Sequence, residues 1–163
     1  MYASSRLNPP LLVLAVLAGC SQTPVQPAAI VTWLDCVECT AAQLDAVKAL
    51  GDRAVPEFRG LLLRGPSDTR LEIERQRLRA AYQALKDYER RHPQNAVQGT
   101  EQQYIDRYLG QFVLRYRLRA AKALGAIATP SARVALQDAQ KLTNLPERLR
   151  TEIAIELAAP RSP

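Results

Sequence analysis

The stretch Trp33-Leu-Asp-Cys36-Val-Glu-Cys39-Thr40 carries the residue types and spacing best suited to chemistry. A Cys-x-x-Cys ahead of a helix is the arrangement that lowers a thiol's pKa in disulfide oxidoreductases, because the helix N-terminus stabilises thiolate. Three features oppose that reading. Asp35 and Glu38 flank the thiols and disfavour thiolate, Thr40 rather than the first cysteine takes the capping position, and no βαβ pattern surrounds the motif. The expectation is a structural disulfide between Cys36 and Cys39, fixing how Trp33 meets the edge of the core; a thiol–disulfide activity at the same pair is the alternative. A loop this short gives the bond little entropic leverage.

Other chemistry finds less support. Two cysteines and His92, the one histidine, do not complete a tetrahedral zinc set without carboxylates or a second chain. A Ser-His-Asp triad would have to use His92, which sits beside Pro93 in a polar loop. Glu72, Glu74, Asp87 and Glu89 lie among arginines at helical spacing, the pattern of surface ion pairs. No Gly-x-Ser-x-Gly, phosphate loop or dinucleotide fingerprint occurs. The reading is non-catalytic, with no metal and no cofactor.

A third cysteine, Cys20, belongs to the leader. Met1 to Arg6 gives a short n-region with one positive charge, Leu11-Leu-Val-Leu-Ala-Val-Leu-Ala18 an apolar run, and Gly19-Cys20 a small-residue end. That order is the secretory pattern, and the run is too short for a stop-transfer helix. Leu17-Ala-Gly-Cys20 resembles the bacterial lipobox. The resemblance implies cleavage after residue 19, lipidation of Cys20 and membrane attachment through several acyl chains. Serine at position 21, by similarity to other lipoproteins, implies the outer membrane with the protein facing the periplasm. Lipidation of Cys20 leaves Cys36 and Cys39 as a natural pair in a disulfide-permissive compartment.

Without the leader the chain is long enough for one ordinary domain. The whole chain carries a formal charge of +6, mostly from arginine, with lysine only at 48, 86, 122 and 141. Such a balance suits anionic lipid heads or acidic polymers, whereas nucleic acid is a poor fit for an exported chain with no binding motif.

Residues 20–32 read as a lipidated tether, polar at its start with Pro24 and Pro27 and without helical period. Residues 33–163 read as one all-α domain of about six helices, near 40–50, 54–64, 69–91, 101–126, 130–142 and 146–159, with a long central pair. Thr40 with Gln43, Thr69 with Glu72 and Thr100 with Gln103 each spell a capping box. Thr129-Pro130 and Asn144-Leu145-Pro146 place proline near a first helical position, and Pro56 sits in a first turn.

Residues 44–62 repeat at 118–136, an offset of 74, with the same residue at ten of nineteen positions. Ala49-Leu50-Gly51 matches Ala123-Leu124-Gly125, Pro56 matches Pro130, and Leu62 matches Leu136. The pattern is a helix closed by a C′ glycine, a tight turn, and a helix opened by proline. Here the chain resembles the HEAT-repeat family, most closely at 120–132 and more weakly at 46–58. The resemblance implies a short α-solenoid that binds a partner.

Helical spacing assigns faces. Leu71, Leu78, Ala81, Tyr82 and Leu85 line one side of the third helix, and Ile105, Leu109, Phe112 and Tyr116 one side of the fourth, with Tyr104 and Tyr108 beside them. In the last helix Leu149, Ile153 and Leu157 point inward, with Glu147, Arg148, Arg150 and Glu156 outward as a polar end cap. The candidate binding residues are Tyr104 and Tyr108, as an aromatic groove, and Arg115, Arg117 and Arg119, which fan across about 200° at 100° per residue. The expected function is that of a lipid-anchored, periplasm-facing scaffold or adaptor for a protein partner in the envelope. A charge-driven binder of anionic envelope polymer or lipid is a further alternative.

Overall fold

A computed structural model describes residues 27–96 and 98–159. Cys20, the leader and the first part of the expected tether lie outside the described residues.

The fold is all-α, built of packed helical hairpins. Its helices are α1 (Ala28–Asp35), α2 (Ala41–Lys48), α3 (Val55–Arg64), α4 (Asp68–Arg91), α5 (Glu101–Ile127), α6 (Pro130–Gln140) and α7 (Glu147–Ala158), with 3-10 turns at Gly51–Ala54 and Pro93–Asn95. One helix is thus added to the six expected. α1 occupies residues assigned to the tether and the domain edge, and buries Ile30, Trp33 and Leu34. Those three fall at i, i+3 and i+4, so a single turn is enough to dock the segment.

Thr40 and Thr100 form complete capping boxes with Gln43 and Gln103. The box expected at Thr69 is absent. Ser67 caps α4 instead, accepting from the Arg70 backbone N–H, so the helix begins one residue before Thr69. Thr129 caps α6, with Pro130 in its first turn.

The long pair α4 and α5 pack on each other, and α5 runs on into the body of the domain, where it meets α1, α2, α3, α6 and α7. At 27 residues α5 is about 40 Å long. Its second half carries Ala120, Ala121 and Ala123, fully buried, as are Ala132, Ala135 and Ala139 of α6. Alanine at these positions lets the two backbones approach closely, while Phe58, Leu62, Leu124, Leu136, Leu149 and Ile153 fill the remaining core. The repeated segments are direct neighbours despite the intervening chain: α2 packs on α5 and α3 on α6. Asp52 ties the two turns together by accepting from the hydroxyls of Thr129, at 2.6 Å, and Ser131.

The second copy departs from the first at its glycine. Gly51 has the positive φ expected of it, +55, but stands two residues past Ala49, the C-cap of α2, where it opens the 3-10 turn. Gly125, however, lies inside α5, and the left-handed residue that ends this helix is Ala128, φ 56, whose N–H reaches Leu124 O at 3.1 Å. Gly125 is instead a contact point for Glu156. Glu156, expected to face outward, is accordingly half-buried. On α4, Leu78 and Tyr82 are buried, but Leu85 stays exposed. The face is narrower than its spacing implies because α4 packs chiefly against α5.

Candidate functional site

The arginines of α5 divide into two roles. A helix C-terminus leaves carbonyl oxygens unsatisfied and carries partial negative charge, so a cation there answers both needs. Arg117 Nε donates to Leu62 O at 2.8 Å, near the end of α3. Arg119 donates through both terminal nitrogens to Leu34 O and Cys36 O, at the end of α1. Arg133 does the same for α7, donating to Leu157 O at 2.9 Å. Arg117 and Arg119 are half-buried, and burial lowers the pKa of each, with neighbouring Arg115 adding to the effect on Arg119. These two candidate binding residues therefore act first as helix caps. Arg115 does not. It is exposed, and its guanidinium stands 5.3 Å from the Phe112 ring centroid.

The expected aromatic residues form a line along α5. Tyr104 stacks on Tyr108 at 4.5 Å and meets Tyr82 of α4 at 5.5 Å, while Phe112 contacts Tyr116 at 4.6 Å. Tyr82 is buried and donates to Gly99 O at 3.1 Å; Tyr108 is exposed. Tyr104 thus joins the α4–α5 contact through Tyr82, while Tyr108 lies on it as an exposed ring; both are set apart along the helix from Arg115 and Arg119.

Two recesses lie between α1 and α4, separated by an ion pair. Asp35, at the end of α1, accepts from Arg70 of α4 and from the Tyr116 hydroxyl of α5, and Arg70 Nε also donates to the Tyr116 oxygen at 3.0 Å. Burial opposes ionisation of Asp35, but these hydrogen bonds and the charges of Arg70 and Arg119 outweigh it and hold the carboxyl below its ordinary value. Burial and the bond to Asp35 push the Tyr116 hydroxyl up to about 12. The phenol stays protonated and serves as a fixed donor.

On one side of this pair the recess is bounded by Val31, Leu34, Leu61 and Pro66. The other side is basic. It is lined by Phe112, Arg115 and Arg119 of α5, by Ile73, Glu74 and Arg77 of α4, and by Cys36 and Val37 of the loop after α1. Glu74 is buried and takes two bonds from Arg77, at 2.8 and 2.6 Å.

Cys36 and Cys39 stand at disulfide distance, with Cα atoms 5.3 Å apart. Cys36 Sγ lies 3.0 Å from Trp33 O, and Trp33 Nε1 donates to Arg119 O at 3.0 Å. The Cys36–Cys39 loop is therefore fixed to α5 by Trp33 and Arg119, and Val37 at its tip is 97% exposed. His92, the other candidate for chemistry, lies at the far end of α4, its ring 4.4 Å from that of Tyr88. Among the described residues no three His, Cys, Asp or Glu side chains gather as a metal site. No helix there is long and apolar enough to cross a membrane.

Asp35, Arg70 and Arg77 escaped the sequence reading as site residues. Asp35 was weighed only against the thiols, and α4 is so rich in charge that nothing marks two of its arginines. The Ser67 cap, three residues ahead of Arg70, is the one local signal that fixes where that side chain leaves the helix. Comparison of the chain with family models, curated proteins and solved structures finds no match.

Proposed function

We propose that this chain is a lipid-anchored, periplasm-facing envelope protein whose helical domain is a non-catalytic scaffold for a protein partner. The observation that carries the reading is the stacking of like on like. The α2–α3 hairpin packs against the α5–α6 hairpin, first helix to first and second to second, and the two share ten of nineteen aligned residues. Stacked hairpins of this kind build a solenoid, here of HEAT type, whose exposed faces serve as extended binding surfaces. The lipobox Leu17–Cys20 supplies the anchor. Residues 21–27, which separate Cys20 from α1, span at most about 25 Å when fully extended. The domain would work close to the membrane surface, and Ser21 favours the outer membrane.

Labelling of cells with radioactive palmitate tests the anchor: the full chain takes up label and Cys20→Ala does not. An unlabelled wild-type chain that partitions with soluble periplasmic proteins would sink the proposal.

Cys36 and Cys39 are read as a structural disulfide that holds the α1–α2 loop. The redox alternative has the Cys-x-x-Cys spacing and the exposure of Cys39 in its favour. A reduction potential below about −300 mV supports the structural role, and one in the range of oxidoreductases supports the alternative.

A further inference from the structure

We propose that the basic recess between the Cys36–Cys39 loop and α4 binds an acidic segment of the partner protein, a carboxylate seated on Arg115 and Arg119 with an aliphatic neighbour against Val37 and Ile73. This rests on the reading of the domain as a scaffold for a protein.

Charge is the first argument. Of the four arginines at the recess, Arg70 is paired with Asp35 and Arg77 with Glu74. Arg119 hydrogen-bonds only to carbonyls and feels the Asp35 charge without pairing with it, and Arg115 has no carboxylate within ion-pair distance among the described residues. Arg115 and Arg119 are one turn apart on the same face of α5. Two like charges thus share one face; burial chiefly lowers the Arg119 pKa, Arg115 adds to the lowering, and Asp35 opposes it. A carboxylate on Arg115 would offset the local excess of positive charge, and the guanidinium, 5.3 Å from the Phe112 centroid, keeps N–H donors that a carboxylate can take in bidentate fashion.

The apolar lips are the second argument. Val37 is 97% exposed and Ile73 57% exposed, and the two line one recess from different elements. Each alone is unremarkable on a protein surface. Lining one recess with the unpaired Arg115, they ask for a ligand with both an acid and a hydrocarbon part. Arg119 is half-buried and held by the carbonyls of Leu34 and Cys36, so a single side chain reaches it more readily than a flat bilayer, which favours a peptide.

The test is site-specific photocrosslinking in cells of the full chain, with benzoylphenylalanine at Val37 or Ile73, and at Val134 or Ile155 as exposed positions on α6 and α7. Both recess positions are expected to crosslink to one protein segment containing Asp or Glu beside an aliphatic residue. Arg115→Glu should cut the yield about tenfold, the scale of a reversed rim charge. Arg115 is exposed and touches the core only through the Phe112 ring, so the variant is expected to keep its fold, checked by thermal melting. Crosslinks to protein from Val134 or Ile155 alone overturn the recess while leaving the scaffold reading intact. Crosslinks from the recess to lipid or polysaccharide, or to a protein segment insensitive to Arg115→Glu, overturn the acidic-segment proposal. No protein crosslink from any of the four positions overturns both.

Discussion

A Cβ placed on Gly125 would stand 1.7 Å from Oε2 of Glu156, whose side chain crosses α5 at that point. The Glu156 Cδ and Cβ would lie at 2.5 and 2.8 Å. Because the Glu156 Cβ itself is that close, rotation of the side chain does not relieve the clash; α7 must shift. Alanine is normally the better helix residue by about 0.8–1 kcal/mol. Here overpacking outweighs the preference, and Gly125→Ala is expected to destabilise by about 1–3 kcal/mol. Guanidinium unfolding measures it. An unchanged or higher midpoint would show that α7 is not seated as described.

Ala128 adopts the conformation that the repeat leads one to expect of Gly125. Its φ of 56 costs an L-residue about 1–2 kcal/mol. Glycine relieves that strain, though its freer unfolded chain takes back part of the gain. Ala128→Gly is expected to stabilise by about 0.5–1 kcal/mol, read from the same unfolding curves. A loss of stability would place the end of α5 elsewhere.

The half-buried Glu156 carboxyl is also shifted in its proton affinity. Burial raises its pKa above 4.5, the Glu152 charge adds to the rise and Lys122 opposes it. The folded state therefore holds this proton more tightly than the unfolded chain. The resulting stability is complete below 4.5 and is lost as pH rises through the folded value. Glu156→Gln should exceed wild type in melting temperature at neutral pH, with the advantage shrinking as pH falls toward 4.5. A variant less stable than wild type at neutral pH would mean that the ionised carboxylate is needed, with Lys122 as its partner.

Local chemistry made several elements legible. Thr40, Thr100 and Thr129 announce their helices because capping uses atoms within three residues of each other. The α4–α5 pair shows itself by length alone. α1 was hidden because it has no side-chain cap and only one turn of apolar spacing behind Pro27. Gly125 misled because a Leu-Gly match carries no record of what packs over it; Glu156 lies thirty-one residues downstream. The site was less legible still. Arg119 meets the carbonyls of Leu34 and Cys36 across more than eighty residues, and a guanidinium on a backbone oxygen leaves no motif in either segment. The spacing of Cys36 and Cys39 was enough to draw them together, and they stand at disulfide distance. The recess they flank depends on α4 lying beside them, which only the fold supplies.

The Asp35–Arg70–Tyr116 cluster joins three helices and has an acid-dependent signature opposite to that of Glu156. Asp35 is held below its ordinary 3.8, so its contribution is full above that value and is lost as pH falls through the folded pKa. Arg70 and Asp35 each keep more than a third of their side-chain surface in water, 39% and 37%, so screening limits the pair to about 1 kcal/mol, far from the 3–5 of a buried one. Asp35→Asn is expected to lower stability by about that amount at neutral pH, and the gap should close in acid well below 3.8 as the wild-type carboxyl takes its proton. Tyr116→Phe keeps the ion pair but removes the phenolic donor to Asp35 and acceptor for Arg70. A carboxylate that loses a donor becomes a stronger base. The Asp35 carboxyl, followed by NMR, should therefore titrate at higher pH in Tyr116→Phe than in wild type. A titration unchanged by loss of the hydroxyl would detach α5 from the cluster and leave Asp35–Arg70 a surface pair between α1 and α4.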